Sequence, residues 1–99
     1  MIHITAYPNR IRFEGHAGYD AAGRDIVCAA VSALYYTLAE NLKSRPGFVC
    51  RQDERGAELR CPGAAEAIGF VLRGLRAIAE TYPDYVRVEK GEGGDYERF

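Results

Sequence analysis

The run Gly15–Ser32, GHAGYDAAGRDIVCAAVS, changes character at Asp25. Before Asp25 it is polar and punctuated by glycine; after it the chain turns apolar and alanine-rich, the composition of a helix entering a core. Asp25 suits the N-cap, because its carboxylate can accept the otherwise unpaired amide hydrogens of the first turn. That placement puts Cys28 at the third helical position and leaves His16 on the preceding loop. Gly15, Gly18 and Gly23 let that loop fold back, since glycine reaches backbone conformations closed to other residues. One loop-to-helix junction thus carries a thiol on its helix side and an imidazole on its loop side.

Toward the N-terminus, Ile2–Tyr7 alternates apolar and polar residues, and Ile11–Phe13 repeats the pattern after Pro8-Asn9. This predicts a β-hairpin with a short turn, whose second strand leads straight to His16. Toward the C-terminus a first helix is expected from about Ile26 to Lys43, with Val27, Val31, Leu34, Leu38 and Leu42 on one core-facing stripe. Cys28, Ser32 and Tyr35 form the adjacent stripe. Pro46-Gly47 closes the helix, and Phe48–Asp53 and Ala57–Cys61 read as strands around Asp53-Glu54-Arg55-Gly56, with Asp first and Gly fourth as a type I turn prefers.

A two-residue turn at Arg55-Gly56 would set Cys50 opposite Cys61, but would also oppose Arg51 to Arg60 and Asp53 to Glu58, like charges that disfavour it. The residues leave the register open, and two packed thiols are expected rather than a disulfide. A second helix is expected over Ala64–Thr81, with Ile68, Val71, Leu72, Leu75, Ile78 and Ala79 on its apolar face and Pro83 beyond its end. Gly69 and Gly74 each lower helix propensity by ~1 kcal/mol relative to Ala, which predicts close approach by the first helix or by a second subunit. Val86–Val88 supplies a fifth strand, and the remainder, GEGGDYERF at 91–99, has too little apolar content to pack alone and is expected as a flexible tail. The order ββαββαβ predicts an α+β fold, two helices on a mainly antiparallel or mixed sheet, as one small sandwich domain over residues 1–99.

The chain has 99 residues, 47% of them hydrophobic, enough for a single core. A net charge of −1 and a pI near 6.1 argue against nucleic-acid binding, which calls for a basic stripe. The most apolar stretch, Ile26–Leu42, is interrupted by Tyr, Thr, Glu and Asn, so no membrane span is expected, nor a secretion signal. Three cysteines, an odd number, fit a reduced cytoplasmic chain. Two cysteines without a second pair or histidines make a poor zinc site, nothing near His3 supports a ligand role, and neither metal nor cofactor is expected.

A cysteine is nucleophilic only as thiolate, and a helix N-terminus or a cationic histidine lowers its pKa from ~8.5. Histidine serves as partner base near neutral pH. Free cysteine also packs as a small hydrophobe, so residue types alone leave a merely structural Cys28 open. The whole run, GHAGYDAAG followed by RDIVCAAVSAL, resembles the ribosomal-processing cysteine protease family, Prp, in motif, length and element order over most of the chain.

The resemblance implies a small α/β-sandwich homodimer that takes a peptide substrate. Its activity in Firmicutes and related bacteria is removal of the N-terminal extension of large ribosomal subunit protein number twenty-seven, by cutting after a phenylalanine-rich segment. By matching motif positions it implies that Cys28 is the nucleophile and His16 the general base. Asp25 and Ser32 match further motif positions. Asp25 caps the helix, orients His16, or does both; Asp20 is the other candidate orienter. Ser32, one turn behind the thiol, supports Cys28, binds a substrate group, or bonds back to a helix carbonyl. The loop residues Gly15, Ala17, Gly18, Tyr19 and Gly23 are expected to close over an extended peptide. The alternatives are a non-catalytic dimeric ribosome-associated adaptor, a redox-sensing thiol protein, and a phage-type protease acting on a capsid protein.

Overall fold

In the computed structural model, which describes residues 1–21 and 23–91, seven elements follow the expected order. They are β1 (Ile2–Tyr7), β2 (Arg10–Glu14), α1 (Ile26–Leu42), β3 (Val49–Gln52), β4 (Gly56–Arg60), α2 (Ala65–Thr81) and β5 (Val86–Lys90). The expected tail lies, beyond Gly91, outside the described residues. Gly91 itself donates its amide to the Ala6 carbonyl at 2.9 Å, extending the β1–β5 pairing by one bond.

The strands form one sheet in the order β3-β4-β2-β1-β5, antiparallel throughout except for the parallel pair β1 and β5. The sheet is therefore mixed. Its two faces follow from the period-two alternation of each strand. Ile4 pairs with Phe13, and Ile11 with Leu59, so their side chains share one face, which is buried. Both helices cover that face, where Val27, Val31, Leu38 and Leu42 of α1 meet Ile68, Val71, Leu72 and Leu75 of α2.

The opposite face carries a charge lattice. Arg10 stands directly across from Arg60, a like-charge pairing that would cost stability by itself. Glu58 lies between them, 3.8 Å from Arg10 and 3.4 Å from Arg60, and the Arg10 guanidinium also stacks 3.8 Å above the Tyr7 ring.

The β3–β4 register, left open by the sequence, is decided at Asp53. Its Oδ1 accepts the amides of Arg55 and Gly56 at 2.9 and 3.0 Å, and its own amide donates to the Gly56 carbonyl. This closes a four-residue loop that sets Gln52 opposite Ala57 and Arg51 opposite Glu58, unlike charges in place of like ones. Cys50 therefore faces Leu59, not Cys61. The expected packing of two thiols against each other gives way to separate environments: Cys61 is buried in the core, Cys50 is exposed, and all three cysteines are free.

The two helical glycines also part company. A Cβ at Gly74 would meet Leu34 Cδ1 of α1 at 3.0 Å, so helix contact accounts for that glycine. Gly69 has nothing within 4 Å, so among the described residues no element of this chain approaches it.

Candidate active site

The loop from Gly15 to Asp25 joins the end of β2 to the start of α1, and hydrogen bonds along it set the site. Gly15 has φ +87 and donates its amide to the Arg55 carbonyl at 3.0 Å, which ties the loop's start to the β3–β4 turn. A side chain at Gly15 would run into the Met1 carbonyl, so both the backbone angle and the space require glycine. Asp25 occupies the N-cap, with Oδ1 accepting the Cys28 amide at 2.9 Å. Its Oδ2 accepts the Tyr19 amide at 3.0 Å and the Asp20 amide at 3.5 Å. One carboxylate thus staples the loop to the helix. The bonds from the Cys28, Tyr19 and Asp20 amides, in that order of importance, hold the Asp25 carboxyl below its ordinary pKa, because each favours the charged form.

Cys28 is half-buried, and its Sγ receives the backbone N–H of Ala17 at 3.3 Å. The loop residue beside His16 is therefore in direct contact with the thiol. Ala17 turns its methyl group into the core and is only 4% exposed, so it anchors the loop. Tyr19 packs edge-on against Tyr82 and Tyr85, at centroid separations of 5.6 and 5.2 Å, and docks the loop on the corner between α2 and β5. Any closing movement of this loop has these bonds and ring contacts to break.

His16, Cys28 and Ser32 line two clefts at once. The first, about 370 Å³, is walled by Phe13, Val31, Tyr35 and Tyr36, with Asp53 at its edge. The second, about 460 Å³, is bordered by Gly18, Asp20, Gly23, Asp25 and Ala29. An aromatic hollow and a small-residue, acidic hollow thus meet at the thiol. Phe13 and Tyr35 stand edge to face at 5.2 Å, and Tyr35 in turn against Tyr36 at 5.1 Å, giving the first cleft a preset aromatic wall. Burial, and then the 3.6 Å contact with Cys50 Sγ, raise the pKa of the Tyr35 phenol, which stays neutral.

The candidates for orienting His16 are both engaged elsewhere. Asp25 spends its two oxygens on backbone amides, and Asp20 Oδ1 accepts the amide of Ala21 at 2.7 Å. Among the described residues neither carboxylate bonds to the imidazole, which is exposed. Ser32 is exposed, lines both clefts and, among the described residues, makes no bond back to a helix carbonyl, unlike Thr37 and Thr81, which bond to Ala33 and Ala77. The Cys28 amide, a natural donor to a developing oxyanion, is already held by Asp25. Among the described residues there is no group of three or more metal-ligating side chains and no helix long and apolar enough to cross a membrane.

Sequence reading overlooked Phe13, Tyr36 and the Tyr82–Tyr85 dock. Phe13 and Tyr36 are ordinary members of a strand and a helix until the fold turns them to one cleft. Tyr35 was marked by its helical spacing from Cys28 and Ser32.

Residues 1–87 match the family model described as Cysteine protease Prp. The ribosomal processing cysteine protease Prp of Mycoplasma pneumoniae is 28% identical over 95 residues, which span 90% of this chain and 94% of that protein. The fold is similar to the essential ribosomal processing protease Prp from S. aureus, solved with a covalently linked product peptide. That likeness has TM-score 0.75 and 21% identity, covering 91% of this chain and 97% of the other. It is also similar to SMU.848 from Streptococcus mutans, with TM-score 0.70 and 26% identity, covering 91% and 93%.

Proposed function

Because the chain belongs to the Prp family of cysteine proteases, we propose that it cleaves a peptide bond at Cys28 with His16 as general base, and that its substrate is the N-terminal extension of large ribosomal subunit protein number twenty-seven. The observation that carries this reading is that Cys28 and His16 both line two clefts of different chemistry. An extended peptide laid from one cleft to the other puts an aromatic side chain against Phe13, Tyr35 and Tyr36, and smaller residues beside Gly18 and Gly23. The names of the Mycoplasma pneumoniae and S. aureus relatives support ribosomal processing as the setting.

His16 takes the thiol proton, and the sulfur attacks the scissile carbonyl to form a tetrahedral adduct. The adduct collapses with loss of the C–N bond, His16 returning the proton to the departing amine. Water, deprotonated by His16, then attacks the thioester carbonyl, and the carboxylate product leaves as the thiol is restored. Neither metal nor redox partner enters the balance. Cytoplasmic action on a nascent ribosomal protein and a homodimeric state belong to the same reading, the latter measurable by light scattering.

The test is incubation with the extended ribosomal protein of the same genome, followed by intact-mass spectrometry. Release of one fragment ending in an aromatic segment is expected. A rapidly alkylated Cys28 without cleavage would remove the ribosomal substrate and leave the thiol chemistry; an inert thiol without cleavage would favour the adaptor.

A further inference from the structure

We infer that the backbone amide of Ala17 is a catalytic group, a fixed donor to the attacking Cys28 sulfur that ties its position to that of His16. The inference rests on the reading of Cys28 as the nucleophile. Its observation is the 3.3 Å hydrogen bond from Ala17 N–H to Cys28 Sγ.

A thiol is a weak acceptor and a thiolate a strong one, so a donor fixed at this distance favours the ionised form. The donor is preorganised from both sides. The Ala17 methyl is buried in the core at 4% exposure, and two residues on, the Tyr19 amide is held by Asp25. The bond is therefore made without ordering cost at the moment of reaction. Ala17 follows His16 directly, so the peptide unit that donates to the sulfur is the one that carries the imidazole residue's carbonyl. Displacement of the loop would withdraw the thiolate donor and the base together. When the sulfur attacks, it becomes a neutral thioether and the amide's hold weakens, leaving the N–H able to turn to another acceptor.

The ionisable side chains lining the two clefts around Cys28 are His16, Asp20, Asp25, Tyr35, Tyr36 and Asp53. The test must leave all of them in place. At 99 residues the chain is within reach of chemical synthesis by ligation, and Ala17 can be replaced by lactic acid, which exchanges the N–H for an ester oxygen and keeps the methyl. The control is the equivalent ester at Gly18, whose amide donates to no acceptor among the described residues.

The rate at which Cys28 is alkylated at neutral pH, read by mass spectrometry, is expected to fall by roughly tenfold in the Ala17 ester, the worth of a hydrogen bond to a charged acceptor. It should be unmoved in the Gly18 ester. Peptide turnover should fall by roughly tenfold in kcat, with KM little changed. Alkylation rates that coincide in all three proteins, or that fall alike in both esters, overturn the inference. If the Ala17 ester does not fold, the unaltered protein decides: the Ala17 amide proton must shift as the thiolate forms and lose that response in Cys28→Ala, and a silent amide overturns the assignment. A coupled amide response in a protein that cleaves no peptide would fail the protease reading, and the catalytic role with it, and would leave only the donor's hold on the sulfur.

Discussion

One carboxylate oxygen of Asp25 accepts the Cys28 amide at 2.9 Å while the other gathers the Tyr19 and Asp20 amides, so the helix cap and the loop clamp are a single residue. Asp25→Ala removes both and is expected to lower the thermal midpoint and, on the proposed mechanism, to cut peptide turnover by roughly tenfold to a hundredfold, the cost of misplacing Cys28 relative to His16. Asp25→Asn keeps an oxygen for the cap and loses an acceptor for the loop. It should recover stability more fully than activity, as melts and cleavage kinetics on the same samples would register.

Cys28→Ala and His16→Ala are each expected to abolish cleavage of the extended substrate without unfolding the protein, since neither side chain is part of the fully buried core. Cys28→Ser should be nearly inactive, because a hydroxyl is far harder to ionise than a thiol. Normal turnover by Cys28→Ala, measured by mass spectrometry beside an unchanged circular dichroism spectrum, would end the mechanism.

The glycines of the loop are not equivalent. Gly15 and Gly18 both have positive φ, but a Cβ at Gly15 would collide with the Met1 carbonyl, whereas one at Gly18 meets nothing within 4 Å. Gly18→Ala should cost about 1–2 kcal/mol of backbone strain, and Gly15→Ala clearly more. Urea titrations giving the reverse order would contradict the placement of the β2 terminus against Met1.

Burial separates two large side chains in the same way. Leu42 is 0% exposed and Phe70 is 77% exposed. Leu42→Ala is expected to destabilise by about 2–5 kcal/mol, and Phe70→Ala by no more than about 0.5 kcal/mol.

Acid should weaken the fold through Asp53. The Arg12 guanidinium, and then the Arg55 and Gly56 amides, hold its carboxyl below the ordinary value of 3.8. A depressed native pKa means that the unfolded chain takes up the proton first; the contribution is complete above 3.8 and is lost as the pH falls from there through the native value. Asp53→Asn should flatten that part of the stability–pH curve. A curve parallel to the parent's in chemical denaturation between neutral pH and pH about 2 would show that the Arg12–Asp53 pair contributes nothing.

Local chemistry alone determined the seven elements, the Asp25 cap and the Cys28 and His16 candidates, because period-two and helical alternation, capping and glycine punctuation act over a few residues. The motif around Cys28 carried the family, since Gly15–Ser32 is a continuous run. What lay beyond sequence was every relationship between distant segments. The β3–β4 register depended on how the Asp53 side chain caps its turn, and the separation of Cys50 from Cys61 followed from that. Gly74 was explained only once Leu34 crossed it, and the aromatic cleft existed only once β2 and α1 brought Phe13, Tyr35 and Tyr36 together. The Ala17–Cys28 bond is of the same kind, a contact across eleven positions. Such contacts arise from packing around a shared core, where geometry is set by the whole chain and no short window of residues contains it.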